Sequence, residues 1–192
     1  MKVLVVYAHP YPKSFNQAVL ESFTQGLRSK GHAVEILDLY ARGFNPLLTA
    51  GDLASLQGGE VPADIKAEQA RVSGADGLAF VFPLWWSSMP AMLKGWIDRV
   101  FSLGFAYAFG QEGPMGLLKH RKVLLITTCG ADQAHMEQSG IQKAIQMTTD
   151  MGIFAFTGIP EIRHEFFYNV VQTDPGTREK YLKRAFALGA EY

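Results

Sequence analysis

Apolar residues in this chain gather in short runs that alternate with longer, periodically patterned stretches. Near-continuous apolar runs occupy residues 3–8, 77–82 and 122–128, and shorter runs that fit the same role occupy 33–37 and 153–157. Runs of this length, bounded by turn residues, predict strands covered on both faces. Between them, residues 15–30, 64–73, 90–101, 138–151 and 177–190 read as amphipathic helices. Ser14 and Gln17 have capping-box spacing before the first helix, and Gly31 follows Lys30 as a glycine stop with a cation in the last turn. Gly152 reads as a similar stop after the fourth helix. Strand–helix alternation of this kind predicts an α/β fold over residues 1–192: one doubly wound parallel sheet with right-handed crossovers, five strands in the order 2-1-3-4-5 and helices on both faces.

Ligands of such sheets bind beyond the carboxyl ends of the strands, at the switch point. That brings together three turns, residues 9–16, 83–90 and 128–135. Two segments are looser. Residues 41–62, rich in glycine and proline, read as a surface excursion. Residues 104–119 combine Phe105, Tyr107 and Phe109 with Gly110, Gly113, Pro114 and Gly116, and exposed aromatics in a loop point to a partner surface or a pocket wall.

Composition narrows the function classes. Of 192 residues, 48% are hydrophobic and 19% charged, enough for a sizeable core. Lys plus Arg and Asp plus Glu are balanced at 18 each, which gives no electrostatic footprint for nucleic acid or an anionic membrane. The single cysteine, Cys129, excludes an internal disulfide framework and suits a reducing, cytoplasmic setting. The apolar run at residues 3–8 is too short for a signal peptide, and the uncharged stretch 77–93 is broken by Pro83 and Pro90, so no membrane insertion is expected. A Walker A loop, a G-x-G-x-x-G after the first strand, a G-x-S-x-G elbow and metal-ligand spacings are all missing from the sequence, which argues against ATPases, ordinary Rossmann dehydrogenases, serine hydrolases and zinc enzymes. The acidic residues read mostly as solvated helix faces.

Each of the three turns carries candidate chemistry. In the first, the free amides of a helix N-terminus together with His9, Ser14 and Asn16 have the means to hold a phosphate, with Lys13 adding charge; the plainer reading is that Ser14 only caps the helix. In the second, Pro83-Leu84-Trp85-Trp86-Ser87 sets two indoles at a strand end, where a planar ring system is a natural partner; alternatively both indoles join the core or a dimer contact. In the third, Thr127-Thr128-Cys129-Gly130 is built of small residues that admit a ligand close to the backbone, whose N–H groups can stabilise developing negative charge. Cys129 reads as a packing residue, since no base adjoins it.

These motifs resemble the NAD(P)H dehydrogenase (quinone) family, the DT-diaphorase-like enzymes of flavodoxin-like fold. The resemblance rests on His9 with Ser14-Phe15-Asn16, Asp38-Leu39-Tyr40 with Phe44-Asn45-Pro46, Ala67-Glu68-Gln69, the Phe82–Trp86 turn, the specific block of residues 90–101, Phe105-Ala106-Tyr107, and Thr127 to Gly130. It implies a flavin, FAD or alternatively FMN, with NAD(P)H as co-substrate. His9, Ser14, Phe15, Asn16 and Gln69 would contact the flavin's phosphate, ribityl or adenosine parts. Pro83, Leu84, Trp85, Trp86 and Ser87, with Thr127, Thr128, Cys129 and Gly130, would surround its ring. It also implies a homodimer with sites at the interface, where Tyr107 and Phe109 reach over the partner's pocket, and ping-pong hydride transfer to a quinone. The sequence departs from the family where a Tyr and a His usually follow the Thr-Thr-Gly-Gly turn. Here His135 stands near the Tyr position, either as a substitute donor or as a solvated bystander, and Gln142 stands near the His position. Other readings on the same resemblance are an azo or nitroaromatic reductase and a regulatory oxidoreductase subunit of a potassium-efflux system.

Overall fold

The computed structural model describes residues 1–192. Strands β1 (Lys2–Tyr7), β2 (Ala33–Asp38) and β3 (Gly77–Pro83) are joined by helices α1 (Phe15–Ser29), α2 (Ala50–Ser55) and α3 (Ala63–Ser73). Helix α4 (Ala91–Val100) leads into a hairpin of β4 (Tyr107–Gly110) and β5 (Gly113–Gly116). Strand β6 (Lys122–Thr128), the short helices α5 (Gln133–Gln138) and α6 (Ile141–Ile145), a π-helix (Gln146–Ala155), β7 (Glu161–Phe167) and α7 (Pro175–Glu191) complete the chain. The main sheet runs β2-β1-β3-β6-β7 with every pairing parallel, which is the expected five-strand order. No helix is long and apolar enough to cross a membrane.

The continuous apolar runs are explained by burial on both faces. Leu4, Val6, Phe80, Phe82 and Leu125 face the layer that includes Trp96 of α4 and Phe154 of the π-helix. The alternate residues Val3, Val5, Ala79, Val81, Leu124 and Ile126 face Val19 and Phe23 of α1 and Leu188 of α7. Strand period two places neighbours on opposite faces, so a strand covered twice needs apolar residues throughout.

Local signals act as their chemistry dictates. Ser14 Oγ accepts from the Gln17 N–H at 3.2 Å, capping α1. The Gln17 side chain donates to Glu21 instead, so half of the expected box forms. Gly31 ends α1 at φ +76°, a left-handed conformation in which its N–H reaches the Arg28 carbonyl and that of His32 the Leu27 carbonyl.

Two expectations are corrected. Residues 153–157 do not form the fifth strand. Residues 153–155 finish the π-helix and 156–157 lie in the turn after it; Phe154 is fully buried, 4.9 Å from the Phe80 ring. The fifth strand is β7, Glu-Ile-Arg-His-Glu-Phe-Phe, whose charged residues suit an edge and hide its period. Gly152 lies inside the π-helix and stops nothing, and the single helix expected over 138–151 is divided between α6 and the π-helix. The 41–62 excursion is anchored. Thr49 and Asp52 form a complete capping box for α2, and Asp52 accepts from Arg99 Nε at 2.9 Å and from Nη2 at 3.2 Å. Arg99 also donates to the Asn45 carbonyl and pairs with Asp64. Asp52 and Glu68 are therefore the two buried exceptions among acids that are mostly solvated: Glu68 accepts from Trp96 Nε1 and pairs with Arg42 and Arg71.

Burial alone would raise the Asp52 carboxyl, but Arg99 and the Thr49 hydroxyl and amide outweigh it and hold the group below the usual carboxylate range. Asp52→Ala leaves a buried guanidinium with only Asp64 beside it, and we expect a loss of about 3 kcal/mol in denaturant unfolding. A depressed folded pKa contributes stability above the unfolded value of about 3.9, and that contribution is lost as pH falls through the folded value. The parent's melting temperature is therefore expected to fall more steeply below about pH 4 than that of Asp52→Asn.

Candidate active site

The three turns singled out in the sequence meet at the carboxyl rim. The His9 ring lies 5.8 Å from that of Trp85, joining the first turn to the second. Asn16 Nδ2 donates to Thr128 Oγ1 at 2.8 Å, a buried bond from α1 to the end of β6. The Leu84 N–H donates to the Thr128 carbonyl at 2.8 Å, joining the second turn to the third. A fourth turn, residues 168–174, joins them: the Cys129 N–H donates to the Phe167 carbonyl and the Val170 N–H to the Cys129 carbonyl.

In the first turn, Ser14 does cap α1, and Tyr7 Oη shares a further hydrogen bond with its Oγ at 3.2 Å. Phe15 and Asn16, in the first helical turn, keep amides that the helix itself cannot satisfy, so anion-binding donors remain although the hydroxyl is used. Burial lowers the pKa of His9. Its Nδ1 accepts the Tyr11 N–H at 3.0 Å, which places the proton of the neutral ring on Nε2 as a donor. Asn16 Oδ1 is buried without a partner, an acceptor with capacity for a ligand hydroxyl.

In the second turn, Trp85 and Ser88 exchange backbone hydrogen bonds of 3.0 and 3.1 Å around Trp86 and Ser87, at φ +51° and +56°. This pair of left-handed residues has the pattern of a type I′ turn, normally built from Asn and Gly. Each non-glycine there costs roughly 1–2 kcal/mol, and strain of this kind collects at ligand sites. The tight turn throws the indoles outward: Trp85 is 41% exposed and Trp86 102%. The alternative that both rings join the core is thereby overturned. Pro83 is buried at the strand end, and Leu84 packs on the cluster that contains Cys129.

In the third turn, Thr127 and Thr128 are buried. Burial pushes the Cys129 thiol up to about 12, which keeps it neutral and fits a packing residue. A Cβ placed on Gly130 would meet only Val171 Cγ2, at 3.9 Å, so the space above this backbone is open.

Other expected residues lie elsewhere. His135 is on α5; its backbone N–H takes the Asp132 cap at 2.8 Å, and its imidazole is exposed without a hydrogen bond in the chain. Gln142 accepts from Tyr168 Oη at 2.7 Å. Gln69 donates to the Val100 carbonyl and to Ser102 Oγ, both at 3.1 Å, at the far end of α4 from the rim, so a single chain does not bring it to the turns. Tyr107, on the hairpin, lies between Phe109 at 5.9 Å and Phe156 at 5.3 Å. A cleft of about 780 Å³ opens at the amino end of the sheet, beside Met1, Asp76, His120 and Lys122, and shares no residue with the rim.

Sequence reasoning missed two groups at the fourth turn and the start of the helix that follows it. Arg178, in the first turn of α7, donates through Nη2 to the Val171 carbonyl and keeps a buried Nε without a partner. Tyr168 packs beside Cys129 and Leu84. The shift of the fifth strand from 153–157 to 161–167 concealed this turn; with the strand placed correctly, a cation after an Asp-Pro-Gly helix start would have drawn notice.

Comparison with known proteins agrees with this geometry. A family described as having a flavodoxin-like fold matches residues 1–188. The chain is 33% identical over 186 residues to an NAD(P)H oxidoreductase of Haemophilus influenzae, covering 96% of this chain and 92% of that one. It is 33% identical to the rat NAD(P)H dehydrogenase (quinone) 1, covering 95% of this chain and 74% of the relative. An NAD(P)H:quinone oxidoreductase structure from Methanothermobacter marburgensis superposes with a TM-score of 0.92 at 34% identity, covering 99% and 98% of the two chains. The chain belongs to the flavodoxin-like fold family, among proteins of the NAD(P)H dehydrogenase (quinone) kind.

Proposed function

We propose that this protein is a flavin-dependent NAD(P)H:quinone oxidoreductase. The observation that carries the reading is the convergence of the first three turns on an open rim beside two outward-facing indoles. The relatives named for NAD(P)H and quinone chemistry support it. The residues present fit a flavin: amides at the start of α1 and the Arg178 guanidinium suit phosphate, and the unpartnered Asn16 Oδ1 suits a ribityl hydroxyl. A bound flavin supplies two-electron hydride chemistry between a nicotinamide donor and a quinone. The chain binds and orients. His9 and Ser14 flank the phosphate end, Trp85 and Trp86 offer ring faces, and the Gly130 N–H, which no group of the chain accepts, stabilises negative charge. FAD is the flavin we assign, with FMN as the alternative that identification of the released cofactor would establish.

We also assign a homodimer. Met147 and Met151 of the π-helix, four residues apart, and Phe156 just beyond its end are all exposed. Phe156 touches Tyr107, and Phe109 (70% exposed) and Met115 extend the apolar surface along the hairpin. A second copy covering this face would bring each hairpin to its partner's rim.

The purified protein is expected to be yellow and to oxidise NAD(P)H in the presence of menadione; a colourless protein that takes up neither FAD nor FMN overturns the proposal. Trp86→Ala is expected to weaken flavin binding about fivefold, the scale of one aromatic stacking contact, measured by fluorescence titration. Tyr107→Phe is expected to change quinone turnover while leaving flavin content intact, checked by steady-state kinetics beside the absorbance ratio of bound flavin to protein.

A further inference from the structure

Thr127 is fully buried one residue below the β6 rim, on the sheet face opposite α1. Its Oγ1 lies 2.8 Å from His164 Nε2, and His164 Nδ1 lies 2.7 Å from Asp150 Oδ1. The His164 side chain is 1% exposed, and its ring stacks on Phe166 at 4.1 Å with 19° between the planes. Asp150 comes from the π-helix, His164 from β7 and Thr127 from β6, so one hydrogen-bonded chain crosses three elements. The order carboxylate, imidazole, hydroxyl is that of an activated nucleophile, but a wholly buried hydroxyl has no route to a substrate. The chain must act on the protein itself.

We infer that the Asp150–His164–Thr127 chain is a brace that preorganises the β6 rim for the flavin, with His164 as its positioning residue. The inference rests on the flavin reading above. Asp150 accepts the Nδ1 proton and so fixes the tautomer, which leaves Nε2 to accept the Thr127 hydroxyl proton. A fixed hydroxyl fixes χ1 of a β-branched residue. The next residue, Thr128, takes the Asn16 amide on its Oγ1 and the Leu84 N–H on its carbonyl, and the open backbone of Cys129 and Gly130 follows. The brace therefore sits directly beneath the part of the rim assigned to the ring. Burying an imidazole and a carboxylate gives a fold little that apolar side chains of the same volume would not. Lower on the same face of β6, Leu125 and Val123 are apolar, as packing alone prefers.

Thr127→Val and Thr127→Ser separate bracing from packing. Val keeps the volume and loses the hydroxyl; Ser keeps the hydroxyl and loses the methyl. Each protein is stripped of flavin, shown to be folded by its melting transition, and titrated with FAD and FMN by fluorescence quenching. The brace requires Thr127→Val to raise the flavin Kd about tenfold while Thr127→Ser stays within about threefold of the parent, the scale set by one buried hydrogen bond. A packing role requires the reverse order, and equal or reversed effects overturn the inference. Asp150→Ala breaks the brace from outside the strand and serves if Thr127→Val does not fold; it is expected to weaken flavin binding likewise, and parent-like affinity in it overturns the inference. A parent protein that takes up no flavin rejects the proposed function instead, whereas a flavin-loaded parent with indifferent variants rejects the brace alone.

Discussion

The site depends on the buried bond from the Asn16 amide to the Thr128 hydroxyl. Asn16 stands in the first turn of α1 and Thr128 is the last residue of β6, separated in the chain by four strands but adjacent at the rim. The bond forms only if α1 packs on its own face of the sheet and β6 lies beside β3, so it reports the whole topology at one point. Both partners are buried, so losing either leaves a polar group unsatisfied where water does not replace it. Around this contact the Leu84 amide and the Cys129 backbone are arranged, and the shape of the rim follows.

Much of this was legible from the sequence because the central strands are covered twice. Such strands carry an unbroken apolar run that no amphipathic element imitates, and β1, β3 and β6 were read within a residue or two of their ends. The same logic failed at the edge. Strand β7 has a single neighbour and four charged or histidine residues in seven, so it resembled a loop, while the fully buried Phe154 gave the π-helix the look of a strand. A short apolar run does not distinguish the two. The site followed the same division. Turns hung on central strands were placed correctly, whereas Arg178 and Tyr168, hung on the edge strand, were invisible until β7 was found.

Charge pairing stayed hidden for a related reason. Composition gave a neutral chain and most of its acids are solvated, but Asp52 and Glu68 are buried. Pairing does not show in one dimension: Asp52 and Arg99 are 47 positions apart, and Glu68 meets Trp96 across 28. These contacts tie the glycine-rich excursion and α3 to α4, the helix that begins immediately after the strained tryptophan turn. A feature that looked like decoration thus stiffens the base from which the indoles project.

The winding of residues 146–155 has a consequence for tolerated change along the chain. An α-helix turns about 100° per residue, so removing one residue to restore ordinary winding would swing everything downstream by a comparable angle. Asp150 would then leave His164, and Phe156 would leave Tyr107. The outer side of this segment can accept new side chains freely as far as the lone chain is concerned, yet its length is locked. Related sequences aligned here should vary in residue type while rarely gaining or losing a position.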